Sequence, residues 1–323
     1  MFTNKDLLVK VAWMYYMDGK TQQEIAKELG ISRIKVQRLL KRAVKEHIVR
    51  VQISQDAYNL LSYERKLVEL FGLKDAVVVP VEAKLLKQEL YKELAKAAAS
   101  YAMWKWLPHI EILAVGIGRT LFYLPDFLQP LPRKKKLKVV SLQGALLPNI
   151  ALNSNLIGQR TAQNLNGEFF GLWAPIVANT PSEVEIIRSQ PYVKMALELA
   201  QQSDLRIVGI GAASHEALLR TFGFLKDREI DELLSVGAVG DILGRFFDKD
   251  GKMIEGKTNE RVVSIDLKLC SKGATVGVAG GMDKVKCIFA ALTGHLVDIL
   301  VTDIFVAEAL VGIKEGKIQL DGG

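Results

Sequence analysis

Residues 19–42 read GKTQQEIAKELGISRIKVQRLLKR, and the fold of the first part of the chain turns on them. Thr21 stands where it can cap a helix, Glu24 three residues on completes a capping box, and Ile25, Ala26 and Leu29 supply a buried stripe. Gly30 ends that helix. Ser32 then caps another, in which Val36, Leu39, Leu40, Ala43 and Val44 face inward while Arg33, Lys35, Gln37, Arg38, Lys41 and Arg42 stay outside. Upstream, Leu8, Val11, Ala12, Tyr15 and Tyr16 recur with helical spacing over residues 5–17, until Asp18 and Gly19 stop the run. Two amphipathic helices joined by a short glycine-containing turn form a helix-turn-helix, whose second helix lays its N-terminal half in the DNA major groove. Val49 to Ile53 is read as a small wing strand.

The side chains on the outer face suit that task. Arg33 and Arg38 can donate in parallel to guanine edges, Gln37 can pair with adenine, and Lys35, Lys41 and Arg42 can neutralise phosphates. Ser32, at the start of the same helix, and Thr21 and Gln22, at the start of the one before, complete the expected DNA-facing set. The charge distribution agrees: of the net +7 of the whole chain, +6 lies in residues 1–53. A solvated basic face and an anionic membrane surface also fit charge alone, but these apolar stripes bury against one another rather than forming one unpartnered face.

Beyond residue 53 the chain divides, as read, into a linker or oligomerisation helix over 54–73 and a larger domain over 74–323. In the latter, Val- and Ile-rich runs alternate with helical segments: 76–81, 111–116, 137–142, 205–210, 262–266, 275–279 and 299–302 read as strands, and 85–104, 120–128, 155–165, 183–203 and 283–292 as helices. The fold class is therefore α/β with a largely parallel sheet, whose ligands bind at the carboxyl ends of the strands. With 49% hydrophobic and 24% charged residues in 323, disorder is excluded. No apolar run reaches the roughly 20 residues of a membrane span, the start has no secretory pattern, and Cys270 and Cys287 are not arranged for a disulfide framework or redox pair. A cytoplasmic location is expected.

Glycine-rich strand ends carry the candidate ligand site. Gly116-Ile117-Gly118-Arg119-Thr120 runs from a strand into a segment that Thr120 can cap; its amides and Arg119 can hold a phosphate, although the motif taken alone is better read as a plain strand-to-helix turn. Leu121 replaces the third glycine of a dinucleotide fingerprint and no P-loop lysine follows, so no cofactor is expected. Gly280-Gly281-Met282-Asp283-Lys284 places a lysine in a first helical turn, where a cation opposes the helix dipole unless Asp283 or an anionic ligand compensates. Ser141-Leu142-Gln143-Gly144 and Gly209-Ile210-Gly211 open onto the same sheet edge. Asp241, among the glycines of residues 237–244, reads either as a turn former or as an acceptor for sugar hydroxyls. His47, His109, His215 and His295 show no metal-ligand spacing.

Gly19 to Ala26 through Gly30 to Arg33, followed in order by 116–120, 141–144, 237–246 and 280–284, resembles the SorC family of sugar-responsive bacterial transcription regulators over essentially the whole chain. The resemblance implies a winged helix-turn-helix followed by an effector domain related to phosphosugar isomerases and deaminases (CoA transferase-like), usually in a homotetramer or dimer of dimers. It implies a phosphate held by Gly116, Gly118, Arg119 and Thr120, Lys284 near the anionic or carbonyl end, and Asp241 on hydroxyls. Gln143 and Gly144, with Asn153 or Asn155 as substitutes, complete the implied effector set. Ile34 departs from the small residue usual in such recognition helices, which points to a thymine-methyl contact or extra packing. The implied partners are double-stranded operator DNA and a sugar or sugar phosphate; the implied function is regulation of a carbohydrate catabolic operon. Two other readings are a phosphosugar isomerase-like enzyme using Asp241 and Lys284 with an accessory DNA-binding head, and a protein-binding adaptor.

Overall fold

A computed structural model of the chain describes residues 4–46, 48–49, 55–145, 153–270 and 272–319. It divides into two compact units, Met1–Tyr58 and Asn59–Gly323. In the first, α1 (Asn4–Tyr16), α2 (Gln22–Leu29) and α3 (Arg33–Lys45) pack around Leu8, Val11, Ala12, Ile25, Val36, Leu39, Leu40 and Ala43. The capping box is formed: Thr21 Oγ1 accepts from Glu24 N at 3.3 Å, and Glu24 Oε2 accepts from Thr21 N at 2.8 Å. Gly30 closes α2 at φ 64°, a left-handed conformation that glycine adopts without Cβ strain, and Ser32 Oγ accepts from Lys35 N at 3.2 Å to open α3. Replacing Thr21 with alanine is expected to cost about 1 kcal/mol in denaturant unfolding of the head. An unchanged midpoint would show that the cap contributes nothing.

Three side chains expected to point inward do not. Tyr15, Tyr16 and Val44 are exposed; at the end of α1 it is Met14 that takes the inner position in place of the tyrosines. The two phenols, stacked edge to face at 5.0 Å, keep their hydroxyls in water along a groove shared with Val44. Of the expected wing strand only Val49 is described, and it packs against the head core; residues 50–53 lie outside the described residues.

The second unit is built from the greater part of α4 (Gln55–Phe71), from Asn59 on, with β1 (Asp75–Val79), α5 (Lys87–Tyr101), β2 (Ile112–Val115), β3 (Lys138–Ser141), α6 (Ser154–Asn164) and β4 (Glu168–Phe170). There follow α7 (Pro181–Ser189), α8 (Pro191–Gln201), β5 (Leu205–Gly209), β6 (Gly211–Ala212), α9 (Leu218–Thr221), α10 (Asp227–Ser235), β7 (Ala238–Ile242) and β8 (Arg245–Asp248). The chain continues through α11 (Lys257–Glu260), β9 (Ala274–Val278), α12 (Val285–Thr293), β10 (Ile299–Asp303) and α13 (Ile304–Lys314). Seven strands make one sheet in the order β1-β10-β9-β5-β2-β3-β4, every pairing parallel.

Successive strand residues feed opposite faces. Leu113, Val115, Val139, Ile207 and Val278 join the core under α5 and α6. Ala114, Val140, Val208 and Leu300 join the one under α4, α8, α12 and α13. From β2 the sheet grows through β3 to β4, and from β5 it grows the other way through β9 to β10. The neighbours β2 and β5 therefore flank a topological switch point, where the loops leaving their carboxyl ends diverge and open a crevice.

Two expected elements differ. Residues 262–266 make only single bridges, Val262 to Val177 and Ser264 to Gln143, and are not a strand; their hydrophobicity reflects burial of Val262, Val263 and Ile265. The helix expected over 120–128 is a 3-10 helix, Leu121–Phe127, containing Pro125, which lacks the amide needed to continue an α-helical ladder. Residues 237–248, read for their glycines and Asp241 alone, hold the hairpin of β7 and β8, which with β6 forms a small antiparallel sheet.

Candidate functional sites

On the head, Ser32, Arg33, Lys35, Gln37, Arg38, Lys41 and Arg42 are all exposed on α3, with Thr21 exposed and Gln22 half-buried at the start of α2. Among the described residues, Arg33, Lys35, Gln37, Arg38 and Lys41 have no side-chain hydrogen bond or ion pair. Their donors are free for an external acceptor. Arg42 differs, since its Nε lies 2.6 Å from Glu46 Oε1. The Thr21 hydroxyl is likewise engaged, donating to Glu24 Oε2 at 2.8 Å. Ile34 is 64% exposed, so it adds nothing to the head's own packing and presents an apolar surface among the cations.

In the second unit the loops at the switch point enclose a cavity of about 380 Å³. Gly118, Arg119 and Thr120 after β2, Gln143 after β3, Gly209 to Ala212 after β5, Lys284 after β9, and Asp241 and Gly244 from the hairpin line it. Four separately read strand ends thus converge. Gln143 is 1% exposed, yet among the described residues neither its Oε1 nor its Nε2 has a partner. A carboxamide offers two N–H donors and two acceptor lone pairs, and burying them unpaired costs about 1–3 kcal/mol. A ligand able to both donate and accept would recover that cost.

Asp241 sits on β7 opposite Gly211, not in a turn, and a Cβ at Gly211 would collide with its Oδ1. Its Oδ2 accepts from Gly244 N at 3.2 Å. The connecting residues Leu243 and Gly244 have φ values of 55° and 79°, the left-handed pair of a tight hairpin turn. Leucine tolerates that region poorly, and packing of the Leu243 side chain over Gly116 helps to hold it there. Burial pushes the Asp241 carboxyl up to about 6, opposed by the Gly244 amide and the charge of Lys284. Lys284 Nζ donates to Ile210 O at 3.0 Å. Burial holds its amine below the ordinary lysine value, against the pull of Cys287, Asp283 and Asp241, while Arg119 reinforces the lowering. Both side chains keep part of their surface accessible, although protein encloses most of each charge. A carboxyl held above its ordinary range and an amine held below its own share one cavity.

Arg119 donates from Nη2 to Glu216 O at 3.1 Å, and no backbone carbonyl among the described residues accepts from the amides of Gly118, Arg119 or Thr120. Such a run of unpaired amides beside a guanidinium has the donors that an anion needs. The expected Thr120 cap is absent: the residue is itself helical at φ −71°, ψ −46°, and its side chain accepts from no amide. Gly116 and Gly144 do not line the cavity. A Cβ on Gly116 would stand 3.2 Å from Gln143 Oε1, and one on Gly144 would stand 2.5 Å from Pro175 O, so both glycines serve close packing behind the site. Asn153 caps α6, and Asn155 is held by Ser141 Oγ at 2.8 Å and by Leu172 N at 3.0 Å, so neither approaches a ligand.

Residues missed in the sequence are Lys87, Gln88 and Tyr91, which α5 brings to the cavity, and Ser214 and Glu216 from the loop after β6. Lys87 pairs with Asp283 at 2.9 Å. No glycine marks these positions, and their only sequence signal is polarity at the first turn of a helix facing the sheet edge. Among the described residues no cluster of histidine, cysteine and carboxylate could hold a metal, and no helix is long and apolar enough to cross a membrane.

A basic recognition helix and, elsewhere in the chain, a switch-point cavity for a small polar ligand define a ligand-responsive transcription regulator. The family described as "Putative sugar-binding domain" matches residues 55–312, and region 4 of sigma-70 matches residues 13–46. The chain is 31% identical over 314 residues to the erythritol catabolism regulatory protein EryD of Brucella abortus, covering 96% of this chain and 98% of that protein. It is 32% identical over 312 residues to the transcriptional regulator LsrR of Escherichia coli K12, covering 95% of each. The crystal structure of the full-length sorbitol operon regulator SorC from Klebsiella pneumoniae superposes with a TM-score of 0.73 at 28% identity, over 96% of this chain and 99% of that one. The protein belongs to the SorC family of sugar-binding transcriptional regulators.

Proposed function

We propose that α3 grips operator DNA of a carbohydrate catabolic operon through Arg33, Lys35, Gln37, Arg38, Lys41 and Arg42, with Ser32, Thr21 and Gln22 at the groove edge, and that a sugar or sugar phosphate in the switch-point cavity changes operator affinity. Arg119 and the amides of residues 118–120 take the anionic group, while Asp241 and Gln143 take hydroxyls and Lys284 the carbonyl or anionic end. The unpartnered amide of buried Gln143 carries this reading, since a carbohydrate hydroxyl both donates and accepts. The names of the Brucella and Klebsiella relatives, in erythritol catabolism and the sorbitol operon, support a polyol-derived effector. Near-full-length kinship to regulators supports binding rather than turnover. The active form is read as a cytoplasmic homotetramer or dimer of dimers.

Effector and operator are coupled only to the extent that the two DNA-affinity states bind the effector differently. The test is a thermal shift of the full chain against a panel of sugar and polyol phosphates. A ligand confined to the native state adds about 2.7 kcal/mol at one hundred times its dissociation constant. Gln143→Leu is expected to leave the unliganded protein as stable as before or more so, and to abolish that shift; a full shift in the variant would remove Gln143 from the site.

A further inference from the structure

We propose that Lys284 captures the carbonyl group of an open-chain aldose or ketose phosphate as a reversible imine, with Asp241 as the acid that expels water. The inference rests on the sugar-phosphate reading of the cavity and assigns that site a covalent step. Its geometric basis is the setting of Lys284. The Nζ lines the cavity and is anchored by a single neutral acceptor, Ile210 O at 3.0 Å, with no carboxylate within ion-pair distance among the described residues. Enclosure makes the ammonium easier to deprotonate, and the Ile210 carbonyl can hold one N–H while the nitrogen lone pair of the deprotonated amine faces the cavity as nucleophile. The anionic end of the ligand has a separate cradle in Arg119 and the amides of residues 118–120.

The step balances without a further reactant. Nζ adds to the carbonyl carbon, and one amine proton passes to the carbonyl oxygen, giving a carbinolamine. Asp241, whose burial lets it keep a proton to about pH 6, protonates that hydroxyl. Water leaves, and the protonated imine remains opposite the new carboxylate. Hydrolysis reverses every step, so the ligand is held longer but not consumed. Gln143, with both polar atoms unpaired, can hold the adjacent hydroxyl and keep the carbonyl aimed at Nζ.

The experiment incubates the full-length protein at pH 6, where Asp241 still holds a proton in about half of the molecules, with D-erythrose 4-phosphate or D-glyceraldehyde 3-phosphate and sodium cyanoborohydride, then maps modified lysines by mass spectrometry. Each aldehyde has a twin, its borohydride-reduced polyol phosphate, which can occupy the cavity but cannot form an imine. The reduced adduct is expected at Lys284 at least tenfold above any other lysine, and excess polyol phosphate should suppress it. Asp241→Asn should slow its formation at least fivefold. Lys284→Arg, which keeps a cation but has no nucleophilic amine, should give no adduct at position 284. A polyol-phosphate shift in the wild-type protein, with aldehyde label spread over surface lysines and no excess at Lys284, would overturn the imine and leave the sugar-phosphate reading standing. Neither shift nor label with any of these compounds would overturn both.

Discussion

Replacing Arg33 and Arg38 together with alanine is expected to lower operator affinity by about two orders of magnitude or more while leaving the head folded. Each guanidinium that reads a guanine edge in parallel contributes about 1–3 kcal/mol of discrimination. Both side chains are exposed and without protein partners among the described residues, so their removal costs the bundle nothing in packing. Lys35→Ala and Lys41→Ala should act differently. Each should weaken specific and non-specific DNA alike and reduce the dependence of log affinity on log salt by about 1, as expected for the loss of one phosphate contact. Fluorescence anisotropy with the upstream DNA at several salt concentrations separates the two classes. Unchanged binding by a folded Arg33→Ala, Arg38→Ala double variant would place the reading surface elsewhere.

Asp241→Asn is expected to stabilise the ligand-free protein at pH 8 and to abolish effector binding. The native carboxyl is held at about 6, above its ordinary 3.8, so across that interval the folded state binds more protons than the unfolded one. Stability from this group is therefore fully present below pH 4 and lost as pH rises through 6. That is up to about 3 kcal/mol at about 1.4 kcal/mol per unit, reduced in the variant comparison because the attraction to Lys284 also disappears. The variant should exceed wild type by about 1–3 kcal/mol at pH 8, with the difference vanishing near pH 4. Denaturant melts at both pH values check it. A variant no more stable than wild type at pH 8 would mean that the carboxylate is not strained by burial. Loss of the ligand-induced shift in the same variant would show stability given up for recognition.

The head was legible because its signals are local: Thr21 and Glu24 lie three residues apart, Gly30 takes the φ that ends α2, and Ser32 opens α3. What failed there was the choice between neighbours at a helix end. Periodicity cannot tell whether Met14 or the tyrosines beside it turn inward when the inner space is small. In the larger unit the parallel sheet followed from alternation of apolar and amphipathic runs, and the glycine-marked strand ends did meet. Non-local parts of the cavity stayed hidden. Lys87 and Gln88 reach it only because α5 crosses the sheet face, a consequence of strand order that periodicity does not encode. Gly116 and Gly144 were visible as glycines but not by function: each makes room for a group distant in sequence, Gln143 beside Leu243 in one case and Pro175 in the other. The sequence left Asp241 open between a turn former and a hydroxyl acceptor because its glycine neighbours are there for different reasons, Gly240 for packing against Cys287 and Phe247, and Gly244 for the turn.

The most direct measurement of the central claim is operator affinity titrated with the ligand that the thermal shift selects, at fixed salt, with non-specific DNA in parallel. A saturating effector should change operator affinity at least fivefold, about 1 kcal/mol of coupling, with Gln143→Leu insensitive and non-specific binding unmoved. Saturation of the cavity without any change in operator affinity would contradict the account.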